Sequence, residues 1–247
     1  SGLEANEGAI KLARRYGKLK LNGAYEVITT FDSFHGRSLA LTAATGQPTM
    51  HGPFVPLPEG FINVANNDIE AIKAATNEKT CAVMLEPIQA EAGILEPSGD
   101  YMLRVRERCN EVGALLILDE IQTGLGRTGK RFACDHEDVR PDVMILGKAL
   151  SGGLYPVSAV LADQEVLGVF RPGDHGSTFG GNPVGAAVAR AALAVLKDEH
   201  LIENAAELGD YFRRRLAAKA GIHQPFGPVE RHHEGKVGAG PAFRRAL

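Results

Sequence analysis

The stretch ALLILDEIQ at residues 114–122 decides the fold, together with the similar stretch VMILGKAL at residues 143–150. Each begins with a short run of branched apolar residues, which is typical of a buried parallel strand. The interval between the runs predicts a strand, a crossover and a second strand. Because ligands in such sheets bind at the carboxyl ends of strands, we expect Asp119 and Lys148 at the same edge of the sheet.

An acid and an amine at one sheet edge suit the chemistry of pyridoxal 5'-phosphate. Lysine forms a Schiff base with this cofactor, and an acid holds the proton of its pyridinium nitrogen. Structural roles remain open for both residues, since Lys148 could extend to solvent and Asp119 could cap a turn. The glycines around Lys148, at positions 147, 152 and 153, favour the close approach of a ligand.

Composition is that of an ordinary globular domain. The 247 residues are 44% hydrophobic and 23% charged, with a net charge of −3, which gives no reason to expect a nucleic-acid partner. Three scattered cysteines without a CxxC spacing argue against a zinc site or a disulfide framework and favour a reducing, cytoplasmic location. No apolar stretch approaches the roughly 20 residues of a membrane span.

Strand and helix patterns alternate along the chain. This predicts an α/β fold with a mainly parallel sheet between helices. The predicted strands are Glu26–Phe31, Phe61–Val64, Ala82–Leu85, Ala114–Leu118, Val143–Leu146 and Val157–Leu161. The predicted helices are Leu3–Tyr16, Ile69–Ala75, Tyr101–Val112, Pro183–Leu196 and Leu201–Ala218.

Several loops carry further candidate site residues. The helix start at Gly2 and Leu3 could bind phosphate through free amides or be an ordinary helix cap. After the first strand, Phe34 could stack on a flat ring and Arg37 could bind a carboxylate, unless both belong to a surface loop. Thr178, in a glycine-rich loop, could bind phosphate or simply belong to a turn.

Two other patterns are weaker. Residues 124–130 resemble a nucleotide phosphate loop, but Arg131 stands where a serine or threonine should hold magnesium, so nucleotide hydrolysis is not expected. Residues 222–247 show no helix or strand period and are expected to form an atypical tail. A metal site at His232 and His233 is the alternative, although adjacent side chains point apart in regular structure.

Together these motifs resemble the class III, pyridoxal-phosphate-dependent aminotransferases, from Ser1 to about Gly221. The resemblance implies the large domain of an aspartate aminotransferase-like transferase over residues 1–221. Residues 119–183 are most similar to ornithine aminotransferases, and the first third is equally similar to acetylornithine aminotransferases. Compared with the family, we expect an N-terminal segment and a small C-terminal domain to be missing.

The resemblance implies that five residues contact the cofactor ring or its reactive group. Lys148 would hold the cofactor covalently and shuttle a proton, and Asp119 would pair with the ring nitrogen. Gln122 would contact the ring hydroxyl. Ile121 and Phe34 would lie on the two faces of the ring.

The resemblance also implies which residues bind the cofactor phosphate and the substrates. Gly2 and Leu3 would donate backbone amides to the phosphate, and Thr178 would reach the phosphate of a neighbouring subunit, which implies a homodimer. Arg37 would bind a substrate carboxylate. Glu91 would help the site alternate between an amino donor and 2-oxoglutarate. Its neighbour Ala90 replaces the usual glycine of this motif.

The implied activity is transfer of the terminal amino group of ornithine to 2-oxoglutarate, giving glutamate semialdehyde and glutamate. Acetylornithine or another ω-amine is the alternative donor. A different alternative is a truncated fragment that folds but does not catalyse the reaction.

Overall fold

The predicted strands form one six-stranded sheet in a computed structural model that describes residues 1–220. The strand order is β2-β1-β3-β4-β5-β6. The strands are β1 (Glu26–Thr30), β2 (Phe61–Val64), β3 (Thr80–Leu85), β4 (Leu115–Asp119), β5 (Val143–Leu146) and β6 (Ala159–Ala162). All neighbours pair in parallel except β5 and β6. The expected α/β fold with a mainly parallel sheet is confirmed.

Eight α-helices accompany the sheet within these residues. They are α1 (Gly2–Lys20), α2 (Leu39–Ala44), α3 (Pro48–His51), α4 (Ile69–Ala75), α5 (Tyr101–Val112), α6 (Gln164–Leu167), α7 (Pro183–Asp198) and α8 (Leu201–Ala220). The five predicted helices are confirmed. The helices α2, α3 and α6 were not predicted, because their four to six residues are too few to show a helical period.

Alternate residues of the central strands face two separate apolar cores. Met84 and Ile117 pack in the core that contains α1, whereas Val83 and Leu116 pack in the core that contains α5. Burial on both faces explains why β3 and β4 read as continuous apolar runs rather than as alternating patterns.

The connection from β4 to β5 differs from a standard crossover. Among its residues only a short 3₁₀ helix, Ala133–His136, forms, and no α-helix covers the sheet there. β6 runs antiparallel at the edge of the sheet and begins at Ala159, two residues later than predicted. β4 and β5 are nevertheless parallel neighbours, with Asp119 opposite Ile145, as their spacing predicted.

Two predictions concern residues outside the described range. The predicted tail at 222–247 and the possible metal site at His232 and His233 lie there. Within residues 1–220, no cluster of at least three potential metal ligands occurs. In the same range, none of the helices combines the length and the apolar character needed to cross a bilayer.

Helix α1 approaches β3 closely through a glycine. A Cβ atom added at Gly17 would lie 2.7 Å from the Cβ of Cys81, and closer still to the carbonyl oxygen of Ala24. No backbone shift confined to the helix relieves both contacts. The small residue therefore sets the distance between α1 and the sheet.

We expect Gly17→Ala to lower the free energy of unfolding by about 2 kcal/mol or more, because the added methyl overpacks this contact. Chemical denaturation of both proteins measures the difference. Gly52→Ala is the matched control, since no atom lies within 4 Å of a Cβ added there. Equal stabilities of the two variants would contradict the packing argument.

Candidate functional site

A cavity of about 600 Å³ lies at the carboxyl edge of the sheet. Its walls come from the start of α1, the loop after β1, the ends of β4 and β5, and the loop before β6. The lining residues are Ser1, Gly2, Leu3, Asn6, Phe34, His35, Gly36, Arg37, Asp119, Ile121, Gln122, Lys148, Ser151, Gly153, Leu154, Tyr155, Pro156 and Val157. The fold thus brings together eight of the ten residues that the sequence analysis selected.

Asp119 ends β4 and lies at the floor of the cavity, with only 4% of its surface exposed. One carboxylate oxygen, Oδ2, is 2.9 Å from Nδ1 of His35 and accepts a hydrogen bond from Nδ2 of Asn6 at 3.1 Å. The other oxygen, Oδ1, accepts the backbone N–H of Ile121 at 3.2 Å. Three contacts from different elements therefore fix the direction of this carboxylate.

His35 is the titratable partner of Asp119 and is completely buried at its side chain. Burial alone would lower the pKa of His35, but the hydrogen bond to Asp119 and its charge outweigh burial, with help from Glu86, and raise that pKa above the ordinary value. Within residues 1–220, Nε2 of His35 has no hydrogen-bond partner. The raised pKa therefore favours a protonated His35, buried next to Asp119 in the wall of the cavity.

Glu86 follows β3 directly and lies beside this pair. Its Oε2 atom accepts the backbone N–H of Phe34 at 2.8 Å, and its Oε1 atom is 3.5 Å from Nε2 of Gln122. Burial raises the pKa of Glu86 to about 7, which His35 opposes and Asp119 supports. The carboxyl group therefore titrates near neutral pH.

Lys148 begins the 3₁₀ helix Lys148–Ser151, immediately after β5, and its side chain is exposed in the cavity. Its φ angle is +41°, in the left-handed region that residues other than glycine rarely adopt. Such backbone strain is concentrated at functional sites. The preceding Gly147 packs against Ile121, so Lys148 lies in a tightly packed turn.

The first turn of α1 closes one end of the cavity. A Cβ atom added at Gly2 would lie 2.7 Å from Cδ1 of Ile121, so a larger residue there would have to displace that side chain. This packing brings the free backbone amides at the start of α1 next to the end of β4. A helix start of this kind attracts anions.

Arg37 lies at the cavity wall formed by the loop after β1. Its guanidinium carbon is 5.6 Å from the centre of the Phe34 ring, within the range of a cation–π contact. The next residue, Ser38, caps α2 by accepting the backbone N–H of Leu41, and its hydroxyl donates to Glu7 of α1. These contacts of Ser38 hold the backbone next to Arg37 between α1 and α2.

Two selected residues do not line the cavity. Glu91 is exposed in the loop between β3 and α5. Thr178 is exposed in the loop before α7, where residues 171–180 all face solvent. The structure of the single chain thus leaves their expected roles as predictions.

Three residues of the site were missed or not singled out: Asn6, His35 and Glu86. Asn6 gave a usable signal, because it is a polar residue next to Ala5 on the buried face of α1. His35 and Glu86 each follow a strand, as Asp119 and Lys148 do. A search for every polar residue after a predicted strand would have found both.

Comparison with known proteins identifies the family. The sequence profile of the family Aminotransferase class-III matches residues 1–232. Ornithine aminotransferase 2 of Staphylococcus saprophyticus is 52% identical over 219 residues, which are 87% of this chain and 55% of that protein. Acetylornithine aminotransferase of Methanothermobacter thermautotrophicus is 51% identical over 216 residues, 87% of this chain and 54% of that protein.

Solved structures agree with the sequence relatives. An ornithine aminotransferase of Toxoplasma gondii, with partial occupancy of pyridoxal phosphate at its active site, superposes with a TM-score of 0.86 at 40% identity. The match covers 89% of this chain and 53% of that one. This chain spans about half the length of the curated relatives that it matches. By profile, by sequence identity and by fold, the chain belongs to the class III aminotransferases.

Proposed function

We propose that residues 1–221 form the cofactor-binding domain of an aminotransferase that moves the terminal amino group of ornithine to 2-oxoglutarate with pyridoxal 5'-phosphate. The products are glutamate semialdehyde and glutamate. One observation carries this proposal: Asp119 and Lys148, from the ends of two adjacent parallel strands, line the same cavity. Names of relatives that share about half of their length with this chain support the choice of substrates.

The cavity suits the cofactor in shape and in polarity. Apolar side chains, including Phe34 and Ile121, offer walls for a flat ring. Asp119 offers a buried acceptor for a protonated ring nitrogen, and the start of α1 offers free amides for a phosphate. When bound, pyridoxal phosphate supplies an electron sink for the amino-group transfer.

Lys148 supplies the amine of the site. Its side chain is exposed in the cavity, so its Nζ atom can reach a carbonyl carbon and can carry a proton to and from a reacting carbon. The left-handed backbone conformation of Lys148, rather than burial of its side chain, sets the direction in which the side chain leaves the turn.

Asp119 supplies the acceptor for a protonated ring nitrogen at the end of β4. His35 and Asn6 hold one of its oxygens, so the carboxylate keeps a single orientation. The raised pKa of the buried His35 favours a charged imidazole next to this carboxylate. An ionised carboxylate in turn favours a protonated ring nitrogen.

Arg37 and Glu91 complete the substrate site in this proposal. Ornithine carries one carboxylate and 2-oxoglutarate carries two. The guanidinium group of Arg37 can bind one carboxylate through two parallel hydrogen bonds. Glu91, exposed in the loop after β3, would help the site alternate between ornithine and 2-oxoglutarate.

A homodimer and a cytoplasmic location belong to the same proposal. Thr178 lies in an exposed loop that includes Phe179, an aromatic side chain with 76% of its surface exposed. An exposed aromatic side chain of this size is available for contact with a second subunit. The three buried free cysteines suit a reducing compartment.

Acetylornithine is the second candidate donor, and a relative of that name at 51% identity favours it. With both donors offered to the cofactor-loaded chain, we expect ornithine to react faster. Conversion of the cofactor to its amine form, followed by absorbance, measures each rate. A faster reaction with acetylornithine would reverse the choice, and cofactor binding without reaction of either donor would identify a non-catalytic fragment.

We expect Lys148→Ala to abolish covalent retention of pyridoxal phosphate, because Lys148 is the only lysine that lines the cavity within residues 1–220. The measurement is mass spectrometry of the chain after borohydride reduction, which makes the bond to the lysine permanent. Lys197→Ala, at the end of α7, is the matched control and should retain the label. A label of undiminished intensity in Lys148→Ala would remove the assignment.

Asp119→Asn tests the buried pair without any cofactor. Loss of the carboxylate removes the main cause that raises the pKa of His35, and burial then acts with little opposition. The pKa of His35 should therefore fall below the ordinary histidine value, as measured by NMR titration. Asp142→Asn, whose carboxylate binds Arg106 away from the cavity, is the control and should leave this pKa unchanged. An unchanged titration in Asp119→Asn would disprove the coupling.

A further inference from the structure

Glu86 touches the cavity walls without lining the cavity itself. It is 7% exposed and lies directly after β3, beneath the residues that form the floor. Its two oxygens face two different walls: Oε2 accepts the backbone N–H of Phe34, and Oε1 lies 3.5 Å from Nε2 of Gln122. The hydrogen bonds of Glu86 therefore reach the cavity through these two neighbours.

We propose that Glu86 is a positioning residue of the cofactor site, which fixes the backbone at Phe34 and the orientation of the Gln122 amide. The inference rests on the proposed function, because it concerns the same cavity. Glu86 itself touches neither cofactor nor substrate in this proposal.

The orientation follows from the donor and acceptor chemistry of the two groups. An ionised carboxylate only accepts hydrogen bonds, so Gln122 must turn its NH₂ group, and not its carbonyl oxygen, toward Glu86. The second N–H of that NH₂ group then remains available to the cavity, where a ring hydroxyl is expected. A glutamine at position 86 could donate instead, and Gln122 would be free to turn over.

Electrostatics make this arrangement sensitive to pH. His35, from the loop after β1, lowers the pKa of Glu86, and Asp119, at the end of β4, raises it; burial is the largest effect and brings the value to about 7. A folded-state pKa above the ordinary value means that ionisation of Glu86 destabilises the fold. The stability that protonated Glu86 contributes is present below about pH 4.5 and is lost as pH rises through about 7.

The test measures the dissociation constant of pyridoxal phosphate for the full 247-residue chain and for Glu86→Gln, Gln122→Ala and the double variant. We expect each single substitution to weaken binding about fivefold to tenfold, as loss of one hydrogen bond would. Glu86→Gln keeps one oxygen that can accept the Phe34 N–H and loses only the constraint on Gln122, so the double variant should bind no more weakly than the weaker-binding single variant. Glu26→Gln is the matched control: this glutamate also accepts a side-chain amide, from Asn77, but at the opposite end of the sheet.

Thermal unfolding without cofactor provides a second readout. Relative to the wild type, Glu86→Gln should gain stability as pH rises from about 5 to about 8, since only the wild type has a carboxyl group to ionise there. If Glu86→Gln does not fold, Glu86→Asp replaces it. This side chain is one methylene shorter, cannot reach both neighbours, and should weaken binding by a similar factor.

The outcomes separate this inference from the proposed function. Wild-type affinity in Glu86→Gln, or losses that multiply in the double variant, would overturn the positioning role alone. A pH-independent difference in stability would overturn the pH sensitivity of this arrangement but not the positioning role. A wild-type chain that binds no pyridoxal phosphate would overturn both.

Discussion

Parallel hydrogen bonding between β3, β4 and β5 is the constraint on which the site depends. Leu85 pairs with Leu118 and Asp119 pairs with Ile145, so the three strands end within about one residue of each other. The residues that follow each strand are consequently delivered to one edge. A shift of register by one residue would turn Asp119 to the other face of the sheet and separate it from His35.

That constraint also explains why so many titratable groups are buried together. Asp119, His35 and Glu86 come from three separate segments, and each alone would be expensive to bury. Asp119 bonds His35 and Asn6, and Glu86 accepts the backbone N–H of Phe34, so each of the two carboxyl groups has a hydrogen-bond partner. Buried groups with perturbed pKa values in a cavity are characteristic of functional sites.

Sequence patterns predicted the sheet better than they predicted the contacts. The apolar runs of β4 and β5 were visible because burial on both faces excludes polar residues, and their ends located Asp119 and Lys148. Asn6 and His35 could be found as candidate residues but not as partners of Asp119, because they are 113 and 84 residues away along the chain. No local pattern records such a contact. The short helices α2 and α3 were missed for a related reason, since their neighbours rather than their periodicity stabilise them.

The backbone at Lys148 has a consequence for how the site can change. A left-handed conformation outside glycine costs about 1 to 3 kcal/mol, which the surrounding turn must supply. Glycine would relax this strain, and a β-branched residue would increase it. The backbone conformation therefore limits which residues can replace Lys148, whatever their side-chain chemistry. Redesign of this cavity for another reaction is easiest where the turn is kept and the walls, such as Leu154 and Val157, are varied.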